Sequence, residues 1–176
     1  TLMTTLGVIT AKDLGVGVHI RTADSGGSVS SGADELVIEN SGDAGITVLS
    51  GNAAIGGLRF GDDGNNHIAS INYNHDDNDM QFKVNNAERM RFDSSGNLLV
   101  GKTSADVGVA GGEIRSGGMA LFTKSGDNPL ILNRLADDGR LVDFKQAGSR
   151  QGEITVSGST VAYGTFCGTH WSRLAD

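Results

Sequence analysis

The sequence predicts an all-β chain, and three observations carry the prediction. Apolar residues recur at a period of two along residues 65–95, the longest stretch without glycine. Gly, Asp, Asn or Ser punctuates nearly every gap between such runs. No segment carries an apolar stripe at helical spacing.

The elements follow in order. Residues 18–22 and 35–39 read as strands, joined by ADSGGSVSSGAD (23–34), a linker or flexible loop by composition. Residues 46–49 and 58–60 read as the next two. Within 65–95 the alternating sets are Ile71 and Tyr73, then Met80, Phe82 and Val84, then Met90 and Phe92. Each set implies a strand with one buried face. NHDDND and Asn85-Asn86 lie between them as turns, and Asp93-Ser94-Ser95-Gly96-Asn97 leads into Leu98-Leu99-Val100. Residues 68–100 are thus expected to form a four-strand antiparallel meander. Further strands are expected at 119–123, 130–133, 141–144 and 153–156.

Composition sets bounds on this chain. Glycine fills 27 of 176 positions, about twice the usual ~7%. Proline occurs once, as Pro129, and aromatics make up 5%. Leu, Ile, Val and Phe together reach roughly 24%, above the level of disordered polar sequence. The chain should fold, but around a lean core. Its net charge is −7 and it has no cluster of Lys or Arg, which argues against nucleic acid as a partner. No apolar run approaches the length of a membrane span. The opening TLMTTLGVIT lacks a basic start before an apolar core and does not read as a signal peptide. A chain that opens on Thr1 and stops at SRLAD reads as part of something longer.

A lean β chain has an edge problem, because open strand edges invite aggregation unless they are covered, charged or closed. Polar and charged residues do interleave at Gln81, Lys83, Glu88, Arg89 and Arg91. Three identical chains about one axis would also cover the edges and pool three thin apolar faces, so a homotrimer is expected. Its strands would be intertwined or packed side by side. A faint internal repeat points to tandem modules. Ser41-Gly42-Asp43 recurs as Ser125-Gly126-Asp127, Ile46 and Val48 map to Leu130 and Leu132, and Leu58 and Phe60 to Val142 and Phe144. One step out of phase, Ala69-Ser70-Ile71 matches Gly152-Glu153-Ile154. Either two related modules or a chance recurrence of a common turn accounts for this. The expected organisation is a connecting segment and linker at 1–32, a first β module at 33–108, a second at 109–164 and a C-terminal junction at 165–176.

Motifs for chemistry are sparse. GDDGNNH and NHDDND gather oxygen ligands as calcium sites do, but without calcium-loop spacing, and both stand where hairpin turns are wanted. Solvated turns are the plainer reading, and the same tips would serve as contact loops. His19, His67, His75 and His170 have no metal spacing, and the single Cys167 excludes an intrachain disulfide and makes a zinc cluster improbable. No nucleophile elbow and no phosphate-binding glycine loop is present. No metal, cofactor or catalytic residue is therefore expected, and the chain does not read as an enzyme. Tyr163, Phe166 and Trp171 put three of nine aromatics in the last 14 residues, beside the cysteine. They fit a terminal strand or a junction to a following domain.

Residues 71–104, INYNH…DMQFKVNNAERMRFDSSGNLLVGKTS, resemble a module of tailed-bacteriophage tail fibres and related virion appendages. PLILNR, DGRLVDFKQAG and GEITVSGSTVAYGT are similar to the strand series near the distal end of such fibres. GTHWSRLAD resembles the junction before their C-terminal self-cleaving intramolecular chaperone. The resemblance covers roughly residues 33–176, through motifs shared by many fibres with different hosts. It implies an elongated homotrimeric β fibre in the virion that attaches to a bacterial surface glycan or outer-membrane protein. Other virion tail proteins would be further partners, with no insertion into the membrane. The family's cut lies at a Ser-Asp step, and the corresponding position here is Ala175-Asp176, without the serine. That departure puts self-cleavage in doubt for this chain. The candidate receptor contacts are Asp62, Asp63, Asn65, Asn66 and His67 in one loop, and Asn74, His75, Asp76, Asp77 and Asp79 in the other. Rival readings are a shaft, collar or adaptor, a tailspike-like polysaccharide depolymerase, and a bacterial surface adhesin.

Overall fold

Twelve strands and no helix make up the described part of the chain, residues 17–164 of a computed structural model. By contact density the chain divides into two units, Thr1–Met80 and Gln81–Asp176.

In the first unit, β1 (Val18–Arg21) and β2 (Leu36–Glu39) pair in parallel, Val18 with Leu36 through Arg21 with Glu39. This departs from the antiparallel expectation. The intervening 23–34 segment is the crossover that parallel pairing requires. It is not simply a slack linker: Ser25 donates from its backbone N and its Oγ to Glu39 Oε1, at 2.7 and 3.0 Å. Gly17 starts the pair because a Cβ there would overlap the Glu35 backbone. β3 (Ile55–Phe60) and β4 (Ala69–Asn74) then form an antiparallel hairpin, Ile55 opposite Asn74 and Phe60 opposite Ala69.

The strand order from β3 onward is sequential. It runs through β5 (Asp79–Val84), β6 (Ala87–Phe92), β7 (Leu98–Val100), β8 (Gly111–Ile114) and β9 (Ala120–Thr123). The meander expected over 68–100 is present as β4 to β7. Its turns are built as the sequence suggests. Asn85 and Asn86 both adopt positive φ, 53° and 57°, the left-handed pair that a two-residue hairpin turn demands. Asp93 Oδ1 accepts from the amides of Ser95 and Asn97, while Gly96 supplies the positive φ of 78°. The expected module boundary at 108/109 falls in the loop between β7 and β8, which are themselves paired. A second sheet in the same unit, β10 (Gly139–Gln146), β11 (Ser149–Ser157) and β12 (Thr160–Gly164), is an antiparallel meander in chain order.

Two expected strands are not formed. Residues 46–49 and 130–133 have strand-like composition but pair with no strand of their own chain among the described residues. Alternation marks a chain fit for a sheet, whereas a strand exists only where a partner supplies the ladder.

The faces of these sheets are largely sorted into an apolar and a polar side. In the β3–β4 hairpin, Leu58 lies opposite Ile71 and Gly56 opposite Tyr73, while Arg59 faces Ser70 and Gly57 faces Asn72 on the other side. Gly57 fits there because a Cβ would strike the Asn72 side-chain oxygen. From β6 to β9, Phe92, Leu98, Ile114 and Ala120 run in register, as do Arg91, Leu99, Glu113 and Leu121 on the opposite face. In the second sheet, Val142, Ile154 and Tyr163 share one face, and Asp143 and Glu153 the other. The expectation that the apolar face is the buried one is reversed within a single chain. Ser70, Asn72, Asp79, Gln81, Asn97, Lys102 and Glu113 are buried, and Leu99 is the one buried hydrophobic residue among those described. Leu58, Phe60, Ile71, Phe92, Ile114, Phe122 and Tyr163 are all exposed.

Candidate functional site

The two expected contact loops are hairpin turns at opposite ends of β4. The first joins β3 to β4, the second follows β4, and the six residues between them span about 20 Å. The fold therefore does not bring them together into one site.

Each loop spends part of its polar groups on itself. In the first, Asp62 Oδ1 accepts from the amides of Gly64 and Asn65 at 2.9 and 2.8 Å, and the Asp62 amide donates to the Asn65 carbonyl at 2.9 Å. Asn65 Oδ1 accepts from the His67 amide at 2.9 Å. Gly61 is required, since a Cβ would press on the Asn66 backbone at 2.5 to 2.7 Å. Asp62, Asp63 and Asn66 are exposed, and Asn65 and His67 are half-buried. In the second loop, Asn74 Nδ2 donates to Asp77 Oδ2 at 2.9 Å and Asn74 Oδ1 accepts from the Asp76 amide at 3.1 Å. The His75 ring meets Tyr73 edge-on, with centroids 4.8 Å apart, and the His75 amide donates to the Ala54 carbonyl. Asp76 and Asp77 are exposed at the tip, and Asn74 and His75 are half-buried. Asp79 corrects the reading of this loop: expected at an exposed tip, it is buried at the start of β5, on the same strand face as Gln81. Among the described residues no group of three or more His, Cys, Asp or Glu is arranged to hold a metal. Ala175 and Asp176 lie outside the described residues.

Three apolar grooves went unnoticed in the sequence. One of about 310 Å³ in the second unit is lined by Leu98, Val100, Gly112, Ile114 and Phe122. One of about 330 Å³ in the first is lined by Val48, Gly56, Leu58, Ile71, Tyr73 and Met80. A third, about 270 Å³, lies among Leu36, Ile38, Ala44 and Ile46. The first two open on the apolar sheet faces, where Val48 packs over Gly56 and Phe122 over Gly112. The only available signal was the pairing of glycines with large residues at period two.

Beneath the opposite face lies a buried ionic centre. Lys102 Nζ sits 2.8 Å from Glu113 Oε2, both side chains fully buried, and donates to the Asp106 carbonyl at 2.6 Å. Arg115 holds the other Glu113 oxygen at 2.8 Å. The Lys102 hydrogen bond, reinforced by Arg115, outweighs desolvation and holds the Glu113 carboxyl below its ordinary range. Residues 101–110 fold over this centre, and Thr123 Oγ1 ties them down by donating to the Val107 carbonyl. Gly111, at φ 138°, lets the chain pass, because a Cβ would meet the Val100 carbonyl at 2.7 Å.

No protein-family model, curated protein or solved structure matches this chain.

Proposed function

We propose that the chain is a segment of a homotrimeric, elongated tail fibre of a tailed bacteriophage, residing in the virion and serving attachment to the host surface. The observation that carries this reading is the exposure of large apolar residues on the sheet faces, Leu58, Ile71, Phe92, Ile114 and Phe122 among them, while Leu99 is the one buried hydrophobic residue among those described. Such a chain has its hydrophobic driving force left over for copies of itself.

The tips at Asp62–Asp63–Asn66 and Asp76–Asp77 are the offered contacts with a surface glycan or outer-membrane protein, modest singly and multiplied by avidity across fibres. A spacer role, as shaft, collar or adaptor among virion tail proteins, is the second reading. It is favoured by the way Asp62 and Asn74 spend their oxygens within their own loops. Cell binding separates the two. A fibre tip binds host cells and loses that binding on a receptor-deficient host strain, and Asp63→Ala or Asp77→Ala weakens it several-fold. Equal or absent binding on both strains favours the spacer.

A further inference from the structure

We infer that residues 46–49 and 130–133 are interchain β-strands, each completing its backbone ladder on a second copy of this chain. The inference rests on the homomeric part of the reading above and assigns the segments that carry it.

Both stretches read as strands, with Ile46 and Val48 in one and Leu130 and Leu132 in the other alternating on one side. Neither pairs with a strand of its own chain among the described residues. Their side chains are among the most exposed apolar groups described: Leu49 is 89% exposed, Ile131 73% and Ile46 68%. A strand-like apolar segment with a free backbone is the feature a soluble monomer avoids. It is also what strand addition uses, with backbone bonds giving affinity and alternate side chains giving fit.

The two segments occupy equivalent places in the sequence. Each follows a Ser-Gly-Asp turn, at Ser41-Gly42-Asp43 and Ser125-Gly126-Asp127. The same unpaired element thus occurs once in each unit, which a single irregular loop would not explain. In the first unit the segment already lies along the apolar face of β3. A Cβ at Gly56 would touch Val48 Cγ1 at 3.5 Å, so Val48 fills the glycine hollow while the backbone of the segment stays unpaired.

The occupant is a second copy for two reasons. Leu99 is the one buried hydrophobic residue among those described, so each copy keeps apolar surface free for a partner, and a copy of itself is always present in the right ratio. Each copy also offers the same unpaired strand, so passing it to the next copy around a closed ring gives every copy the same pairing.

The test is hydrogen exchange on the purified full-length chain, read residue by residue, with native mass taken on the same sample. The amides of 46–49 and 130–133 should exchange at least ~100-fold slower than in an unstructured peptide. A photo-crosslinking residue placed at Ile131 or Leu49 should give products of more than one chain under denaturing conditions. An oligomer in which these amides exchange at the unstructured rate, or whose crosslinks stay within one chain, overturns the strand assignment and leaves the oligomer standing. A monomeric mass overturns both.

Discussion

Glu113 and Glu153 hold matching positions in the second unit, each central on the polar face of an antiparallel meander, yet their surroundings are opposite. Glu113 is fully buried with Lys102 beneath residues 101–110. Glu153 sits in an open lattice, with Arg140 at 3.0 Å, Arg150 at 3.3 Å, and Asp143 beside it bonding Arg150 at 2.9 Å. One alternating pattern thus yields a sealed face where a loop folds back and a wet face where none does. Apolar residues on both sheets, Phe92, Ile114 and Tyr163 among them, remain exposed all the same. Ionic cover on one side of a sheet does not substitute for apolar cover on the other.

Breaking the sealed side should have the largest effect. Glu113→Ala leaves the Lys102 ammonium buried without its counter-charge, and thermal unfolding should show Tm falling by on the order of 10 °C. Leu99→Ala removes the one buried hydrophobic side chain between Arg91 and Glu113. Denaturant melts should record a loss of about 2–5 kcal/mol. A result near zero would mean that the sealed face is not the stability centre of its sheet.

Acid should sharpen the same contrast. Among the described residues, four carboxyls are held below their ordinary values. Glu39 is lowered first by the Ser25 amide, Glu113 by Lys102, and Asp138 by the Gly158 amide. At Asp93 desolvation alone would raise the value, but the Asn97 side chain, the Asn97 and Ser95 amides and the Arg91 charge together outweigh it. A depressed carboxyl stabilises the fold above its unfolded pKa, near 4, and the contribution disappears as pH falls through the lower folded value. Melts between pH 7 and 5 should therefore be nearly level, with stability dropping below about pH 4. Glu113→Gln should flatten that drop, since one of its sources is gone.

The smallest effect belongs to the open lattice. Asp143→Asn or Arg150→Ala should cost less than about 1 kcal/mol, because exposed ion pairs are screened and their side chains lose entropy. Any loss should shrink further in added salt. A large, salt-independent loss would show that this face too is sealed in the assembled protein.

Local chemistry was legible in the sequence and non-local pairing was not. The Asn85-Asn86 turn, the Asp93–Asn97 loop and the β4–β7 meander follow from residues a few places apart. By contrast, Gly111-Gly112 hid β8, whose only strand-like signal is the short run to Ile114. The parallel match of Val18 with Leu36 depends on a crossover with no helix in it. The Lys102–Glu113 pair depends on a loop returning across a sheet. Residues 46–49 and 130–133 carry a strand pattern but pair with no strand among the described residues, and sequence reports the pattern without the partner. For the contact loops, spacing located the turns, while only the geometry showed that Asp62 and Asn74 bond within them and that the two tips lie at opposite ends of β4.

Native mass in dilute, near-neutral buffer tests the central claim most directly, namely that the exposed apolar faces are covered by copies of the chain. The account predicts a species of about 55 kDa, three times 18.2 kDa, that persists on dilution to nanomolar concentration. A folded, soluble monomer of one chain mass would contradict it.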